Sequence, residues 1–369
     1  MKLQSMTYNI IYIDDDQNSK ILVDGFNTTG LLNVTRIKPT SFEDQINELL
    51  DYGNTIQGII LDLKFDEDFS EDRKAYYSAT TLAQQIRTKV NEGDWKNEIP
   101  LILFTTQLKL DAAFSGDTTS KKLFDIIFTK DKITDISLQE KIYSIVDGYN
   151  LIKQNKPNFA KILDIDTIDI LDQRIFPLNL LKADQGSNIH NYSKHILNEL
   201  IERPGPLIDE LYLAARLGVD IGLSNQWKDF INNELTGVKY TGIFNSAWDR
   251  WWMFKLNNWW ENNIDKNPIA TLDARDRIEK LNSKFNYNLV VAKPISKATS
   301  YRYWTICQGY DKPLDPREGL RINESEPLPW QETKYISIDA AIERVKRKEG
   351  LKINPIEKTR FENILKSFQ

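Results

Sequence analysis

The chain has 369 residues, 41% hydrophobic and 27% charged, with a net charge of −5. It is too long for one ordinary domain of about 100–150 residues, and its composition is that of a globular protein. No apolar stretch approaches the roughly 20 residues of a membrane-spanning helix. The single Cys307 excludes an internal disulfide, and two histidines without a Cys-x-x-Cys pair exclude a zinc cluster. We therefore expect a cytoplasmic protein without a membrane partner.

Charge is unevenly distributed along the chain. Residues 1–150 contain 16 Lys and Arg against 24 Asp and Glu, a balance of −8, and the remainder contains 32 against 29, a balance of +3. The acidic part suits a metal site. The remainder is too mildly basic for a dedicated DNA-binding module, so nucleic acid is not supported as a partner.

Four apolar runs in the first 130 residues each have the length of one buried parallel strand, and each ends in a polar side chain. They are Ile10–Ile13 before Asp14, Asp15 and Asp16, Gly58–Leu61 before Asp62, Pro100–Phe104 before Thr105 and Thr106, and Ile126–Thr129 before Lys130.

The carboxyl ends of parallel strands line one crevice, so these side chains are expected to meet there. Three crowded carboxylates (Asp14, Asp15 and Asp62) repel one another unless a hard divalent cation lies between them, and Mg²⁺ is the cation we expect. Lys130 adds a positive charge and Thr105 a hydroxyl donor, which suits an oxygen-rich anion beside the metal. The pattern indicates phosphoryl transfer to a carboxylate.

In this order, the acidic pair, the lone Asp, the Thr and the Lys resemble the receiver domain of bacterial response regulators, over residues 5–150. The resemblance implies a doubly wound, five-stranded parallel sheet of flavodoxin-like order. It implies Asp62 as the phospho-acceptor, and Mg²⁺ held by Asp14, Asp15, Asp62 and the carbonyl of Lys64. It further implies that Thr105 turns toward the phosphate and that Lys130 forms an ion pair with it.

Four positions depart from the family pattern. Phe65-Asp66 stands where Met-Pro is common and begins an acidic stretch to Asp72, and Thr106 stands where Ala or Gly is usual. Asp131 replaces a Pro and supplies a carboxylate that competes for Lys130, and Ile127 replaces a mobile aromatic residue. We expect the acceptor chemistry to be retained and the usual output switch to be altered.

Two plainer interpretations of the same residues remain open. The strand-end Asp and Lys residues would merely cap loops, as on many doubly wound sheets. Alternatively, the domain has the receiver fold but is never phosphorylated.

After residue 150 the pattern predicts a mostly helical connector and Trp-rich αα module (151–265) and a small α+β module (266–369). One helix is expected from Asn188 through Ile201, and a second begins near Pro206 and ends at Gly218. His190 and His195 are interpreted as ordinary helix residues because no ATP-binding motif accompanies them.

Five of the nine tryptophans lie between Trp248 and Trp260. At 100° per residue Phe244, Trp248, Trp251, Trp252 and Trp259 share one helical face. That face is either the core of the C-terminal part or a surface for a partner or for stacked nucleobases.

Further on, residues 287–292 and 301–307 are expected to form a hairpin, and 335–338 a strand that leads into a helix. From Ala341 the chain has 8 basic and 4 acidic residues, typical of a solvated helix face. The acidic residues available for catalysis in this half match no known spacing. They are Asp273, Asp276, Asp311 and Asp315.

Together these observations predict a phosphorelay protein that accepts a phosphoryl group from a partner histidine kinase and regulates an effector protein or acts as a phosphate sink. Its layout also resembles receiver components of multi-component bacterial anti-phage defence systems. The alternatives are an unphosphorylated scaffold that binds through its C-terminal half and a C-terminal effector that acts on nucleic acid.

Overall fold

The computed structural model describes residues 6–16, 18–65, 77–114, 119–133, 135–182, 188–347 and 349–367. The chain forms two compact units, which are described separately. The first comprises Met1–Asp166, Phe176–Leu197 and Gly242–Trp248, and the second Thr167–Ile175, Asn198–Thr241 and Asp249–Gln369. The domain boundaries at 150 and 265 stay predictions. None of the helices in the described ranges combines the length and apolar content that a bilayer crossing requires.

The first unit contains a five-stranded sheet of order β2-β1-β3-β4-β5 in which every neighbouring pair is parallel. This is the flavodoxin-like, doubly wound arrangement, as predicted. The strands are β1 (Tyr8–Ile13), β2 (Leu32–Ile37), β3 (Gly58–Leu61), β4 (Leu101–Thr105) and β5 (Ile126–Thr129).

Helices cover both faces of this sheet, which is why the central strands are apolar on both sides. Ile11 and Ile13 of β1 pack with α2 and α3, whereas Ile10 and Tyr12 pack with α1 and α5. The helices are α1 (Ser19–Phe26), α2 (Phe42–Tyr52), α3 (Ala79–Glu92), α4 (Gln107–Phe114), α5 (Ile136–Asn155), α6 (Phe159–Leu163), α7 (Leu178–Leu181) and α8 (Ile189–Ile196). The helix expected from Asn188 continues beyond α8 as a π-helical turn over Leu197–Ile201.

The second unit contains a four-stranded mixed sheet of order β10-β11-β8-β9 and a two-stranded pair β6-β7. Its strands are β6 (Leu207–Ile208), β7 (Trp251–Trp252), β8 (Thr305–Cys307), β9 (Lys312–Leu314), β10 (Gly319–Arg321) and β11 (Tyr335–Ser337). Its helices are α9 (Glu210–Leu217), α10 (Trp227–Glu234), α11 (Met253–Asn263), α12 (Ala274–Phe285), α13 (Ile338–Ile342) and α14 (Lys358–Ser367). As predicted, the strand at 335–337 leads directly into a helix, α13. Ser337 caps this helix by accepting a hydrogen bond from the Ala340 amide.

The single Trp-rich helix is a wrong prediction. Phe244 has a left-handed backbone (φ 69°), which interrupts any helix there, and Trp251 and Trp252 form β7, paired with Leu207 and Ile208. Only Met253–Asn263 is helical. Trp252 and Trp260 are fully buried in the second unit, which favours the core interpretation over a binding surface.

Two further predictions need correction. Within residues 301–307, Thr305–Cys307 forms a strand that pairs with 312–314, not with 287–292. Asp311, directly before that partner strand, adopts a left-handed conformation (φ 56°) that permits a tight turn. The second predicted helix begins at Glu210, four residues after Pro206, because the Asp209 side chain caps it by accepting a hydrogen bond from the Tyr212 amide. It ends at Gly218, in the left-handed conformation, as predicted.

Candidate functional site

The strand order places the predicted site at the carboxyl ends of β1, β3, β4 and β5. Asp14 and Asp62 follow neighbouring strands, and the Asp62 amide donates to the Ile13 carbonyl at 3.0 Å, which holds the two segments side by side. One oxygen from each of Asp14, Asp15 and Asp62 lies within 4.8 Å of the others, and all three residues are buried. The three predicted carboxylates are therefore brought together.

Asp14 is hydrogen-bonded through both of its carboxylate oxygens. Its Oδ1 accepts from the Asp16 amide at 2.9 Å, and its Oδ2 accepts from Lys130 Nζ at 2.9 Å and from the Tyr12 hydroxyl. Burial and the neighbouring Asp14 raise the pKa of Tyr12 far above its usual range, so this phenol remains a hydrogen-bond donor. Tyr12 thus holds Asp14 in place.

Asp62 has a different environment. Its Oδ1 lies 2.9 Å from Lys130 Nζ and its Oδ2 lies 3.5 Å from Lys109 Nζ. Within the described residues nothing else donates to these two buried oxygens. Burial raises the pKa of Asp62, Asp14 raises it further, and Lys130 and Lys109 oppose the shift without cancelling it. Because no further described residue donates to its oxygens, the Asp62 carboxylate has lone pairs available for a cation or an incoming electrophile.

The donor set fits Mg²⁺. Three carboxylates supply hard oxygen ligands, and the otherwise unbonded oxygens of buried Asp62 are the ones that a cation would satisfy. Lys64, the further ligand that the resemblance implies, lies two residues beyond Asp62, where its backbone forms a bridge with Ser78. The coordinating role of its carbonyl stays a prediction.

Thr105 ends β4 at this edge of the sheet. It is fully buried, and its hydroxyl finds no hydrogen-bond partner among the described residues. A buried hydroxyl in this state costs free energy unless a ligand completes it. Its predicted role as a donor to a bound anion is consistent with this position.

The residues that depart from the family pattern have local explanations. The hydroxyl of exposed Thr106 accepts a hydrogen bond from the Lys109 amide at 3.4 Å and so caps α4. Phe65 is buried and packs edge to face on Tyr77, with ring centroids 5.4 Å apart. Lys130 reaches both Asp14 and Asp62, so the predicted competition from Asp131 does not remove it from the site. The acidic stretch Asp66–Asp72 lies outside the described residues.

Sequence reasoning missed Tyr12 and Lys109. Both had a weak signal: Tyr12 lies two residues before Asp14 on a strand, and Lys109 lies four residues after Thr105, in the first turn of the helix that follows β4. Neither position belongs to the family pattern of acidic pair, lone Asp, Thr and Lys. Only the strand order shows which of the many nearby polar residues reach the site.

The other polar residues considered in the sequence serve local structure. His190 is buried, with its Nδ1 3.0 Å from Asp125 and its Nε2 2.9 Å from the Lys122 carbonyl oxygen. Asp273 caps α12, and Asp315 accepts a hydrogen bond from the Arg317 amide. Across the described parts of the chain, one group of three or more His, Cys, Asp or Glu side chains lies close enough together to hold a metal ion. It consists of Asp14, Asp15 and Asp62.

Comparison with known proteins gives matches among solved structures alone. No family model matches the chain, and no curated protein matches it. Among solved structures, a response regulator receiver domain protein from Clostridium thermocellum matches with 18% identity and a TM-score of 0.27, covering 39% of this chain and 98% of its own. The phosphorylated cyanobacterial phytochrome response regulator RcpA matches with 17% identity and a TM-score of 0.24, covering 40% and 94%.

A third match is the complex of the Saccharomyces cerevisiae histidine phosphotransfer signaling protein Ypd1 with the receiver domain of its downstream response regulator Ssk1. Its identity is 16% and its TM-score 0.26, and it covers 37% of this chain and 88% of the matched chain. At these values the likeness concerns the fold alone.

Proposed function

We propose that the first unit accepts a phosphoryl group on Asp62, with Mg²⁺, from the phosphohistidine of a partner kinase. The observation that carries this proposal is the environment of Asp62. Its carboxylate is buried, it faces two ammonium groups and it lies among two further carboxylates. The Thr105 hydroxyl at the same strand edge has no hydrogen-bond partner among the described residues. A purely structural aspartate would have its oxygens hydrogen-bonded by the protein.

The reaction requires little covalent chemistry from the protein. An oxygen of Asp62 attacks phosphorus in line and forms the O–P bond, the N–P bond of the phosphohistidine breaks, and the histidine nitrogen keeps the electron pair and takes up a proton. Bound Mg²⁺ would neutralise charge on the phosphoryl oxygens. Lys130 stabilises the same charge, Thr105 donates its hydroxyl to the phosphoryl group, and Tyr12 keeps Asp14 in position.

Phosphorylation by acetyl phosphate tests this proposal. With Mg²⁺ present, wild-type protein should gain one phosphoryl group, and peptide mapping should locate it on Asp62. Asp62→Asn should remain unlabelled, whereas Asp131→Asn, which changes an exposed aspartate one residue beyond Lys130, should be labelled like the wild type. Labelling of Asp62→Asn at the wild-type level would exclude Asp62 as the acceptor.

We further propose that the phosphorylated unit acts on another protein, as a regulator of an effector or as a phosphate sink. The mild charge of residues 151–369 and the absence of a DNA-reading motif from their sequence support protein-level output. This layout resembles that of receiver components in multi-component bacterial anti-phage defence systems. If that role is correct, Asp62→Asn expressed with its kinase and effector should change phage plating efficiency. An unphosphorylated scaffold would instead bind its partner equally with and without phosphorylation.

A further inference from the structure

Asp62 has an ammonium group beside each of its two oxygens. Lys130 Nζ is 2.9 Å from Oδ1, and Lys109 Nζ is 3.5 Å from Oδ2. The two lysines come from different elements: Lys130 follows β5, whereas Lys109 lies in the first turn of α4. The resemblance implies a role for Lys130 and assigns none to Lys109.

Local structure fixes the position of Lys109. The α4 helix begins directly after β4, and Thr106 caps it twice: its hydroxyl accepts from the Lys109 amide at 3.4 Å, and its carbonyl accepts from the Leu110 amide at 3.0 Å. Helical side chains tilt toward the N-terminus of the helix, which here is the end nearest the carboxyl edge of the sheet. The Lys109 side chain is 24% exposed, so a ligand at Asp62 can reach it.

A charge count shows what the second lysine changes. Three carboxylates and two lysines leave one net negative charge, and a divalent cation turns this into one positive charge. Converting the Asp62 carboxylate into an acyl phosphate dianion adds one negative charge, so the phosphorylated, metal-bound site becomes neutral. With Lys130 alone, the same state would carry one uncompensated negative charge in a buried setting.

We propose that Lys109 is a second phosphoryl-binding cation, which contacts the phosphoryl group opposite Lys130 and thereby joins the first turn of α4 to the phosphorylated state. The proposal rests on the proposed function of Asp62. It requires opposite effects on two ligands: Lys109 repels Mg²⁺ when the metal binds alone, and it attracts the phosphoryl group once the metal is in place.

The test uses full-length protein and beryllofluoride, a stable mimic of the aspartyl phosphoryl group. Lys109→Gln should bind Mg²⁺ roughly threefold more tightly in calorimetric titration, because a nearby like charge is removed. At saturating Mg²⁺ the same variant should bind beryllofluoride about tenfold more weakly, equivalent to ~1.4 kcal/mol. Lys109→Arg should retain most of the beryllofluoride affinity, since it keeps the charge.

Lys153→Gln is the matched control. Lys153 lies on α5 and donates to Asn97, which precedes β4 at the opposite edge of the sheet, so both affinities should be unchanged. Hydrogen exchange supplies the second measurement. Beryllofluoride should slow exchange of the α4 amides in the wild type and in Lys153→Gln but not in Lys109→Gln, while exchange in β1, β3 and β4 shows that every variant is folded.

The outcomes separate the two proposals. If the wild type is labelled by acetyl phosphate and binds beryllofluoride, but Lys109→Gln binds it equally well with the same protection of α4, the role of Lys109 is wrong and that of Asp62 stands. If Lys109→Gln binds both Mg²⁺ and beryllofluoride more weakly, the proposed role of Lys109 is also wrong, because a general disturbance of the site lowers both affinities. If the wild type neither labels nor binds beryllofluoride, both proposals fail.

Discussion

Asp125 offers the sharpest test of the energetics of the first unit. This aspartate precedes β5, is buried, and accepts three hydrogen bonds. The donors are the Leu101 amide at 2.9 Å, Tyr149 Oη at 2.7 Å and Arg87 Nη2 at 2.9 Å, and His190 Nδ1 lies 3.0 Å from its Oδ1. It thereby links β4, β5 and α3 with α5 and α8. Asp125→Asn keeps the shape of the side chain and removes the charge.

The expected cost is large because Arg87 loses its close partner. Arg87 is buried, and its remaining carboxylate, Glu98, lies 3.8 Å from Nη1. Removing one member of a buried ion pair costs about 3–5 kcal/mol, out of a total stability of about 5–15 kcal/mol for a typical domain. Asp125→Asn should therefore lower the free energy of unfolding of the first unit by about 3–5 kcal/mol at pH 7.

Urea titration followed by peptide-resolved hydrogen exchange measures this change in β1–β5 alone, without interference from the tryptophans of the second unit. Asp94→Asn is the control, because Asp94 forms its ion pair with Lys89 at the surface and such pairs contribute little. The double variant Arg87→Met, Asp125→Asn should regain part of the loss, since it removes the orphaned charge.

The pH dependence follows from the pKa of Asp125. Burial tends to raise this pKa, but the charges of His190 and Arg87, with the hydrogen bonds from His190 and Tyr149, hold it well below its usual range. A depressed carboxyl pKa contributes stability that is complete above the unfolded pKa of about 4 and is lost as the pH falls through the folded value. The difference in the free energy of unfolding between the wild type and Asp125→Asn should therefore become smaller below about pH 4. A loss under about 1 kcal/mol at pH 7 would refute the buried-pair explanation.

Three further outcomes are expected. Tyr12→Phe should lower Mg²⁺ affinity roughly tenfold in calorimetric titration, because Asp14 loses the hydrogen bond that holds it in place; unchanged or tighter binding would contradict this. Because burial raises the pKa of Asp62, Mg²⁺ affinity should increase as the pH rises through a midpoint above the value of about 4 for free aspartate, and Asp62→Asn should lose this step; a midpoint at or below that value would contradict it. Gly218→Ala should lower the melting temperature of the second unit much more than Gly93→Ala lowers that of the first. Both glycines have φ 83°, but an added Cβ lies 2.5 Å from another side chain only at Gly218, so equal shifts would contradict the steric explanation.

The sequence predicted the central strands because strands buried on both faces are almost entirely apolar, as Gly58–Leu61 and residues 101–104 are. The edge strand Leu32–Ile37 alternates buried and exposed residues at its start, so no apolar run marks it, and only the resemblance implied a fifth strand. The Trp-rich helix failed for a related reason. A spacing of three and four residues fits a helix, but the pairing of Trp251–Trp252 with β6 depends on residues more than 40 positions away.

Tyr12 and Lys109 have only a weak signal in the sequence, because the strand order decides which nearby polar side chains reach the site. An alternating strand places Tyr12 on the face opposite Ile11 and Ile13, which is the face expected for Asp14 two residues later, and the Tyr12 hydroxyl does reach Asp14. Lys109 required knowledge that α4 starts immediately after β4.

The departures from the receiver pattern become coherent once α4 is considered. Ile127 cannot supply the aromatic side chain that usually reorients, and it pairs in register with Leu103 on the sheet. If Lys109 binds the phosphoryl group as proposed, α4 itself would hold a phosphoryl ligand and such an aromatic side chain would not be needed. Thr106 fits the same scheme, since its cap fixes the turn that carries Lys109, and an Ala or Gly could not donate or accept through its side chain there. Thr106→Ala should consequently weaken beryllofluoride binding in the same direction as Lys109→Gln, though less, and a Thr106→Ala variant that binds as the wild type does would show that the cap is not needed to position Lys109.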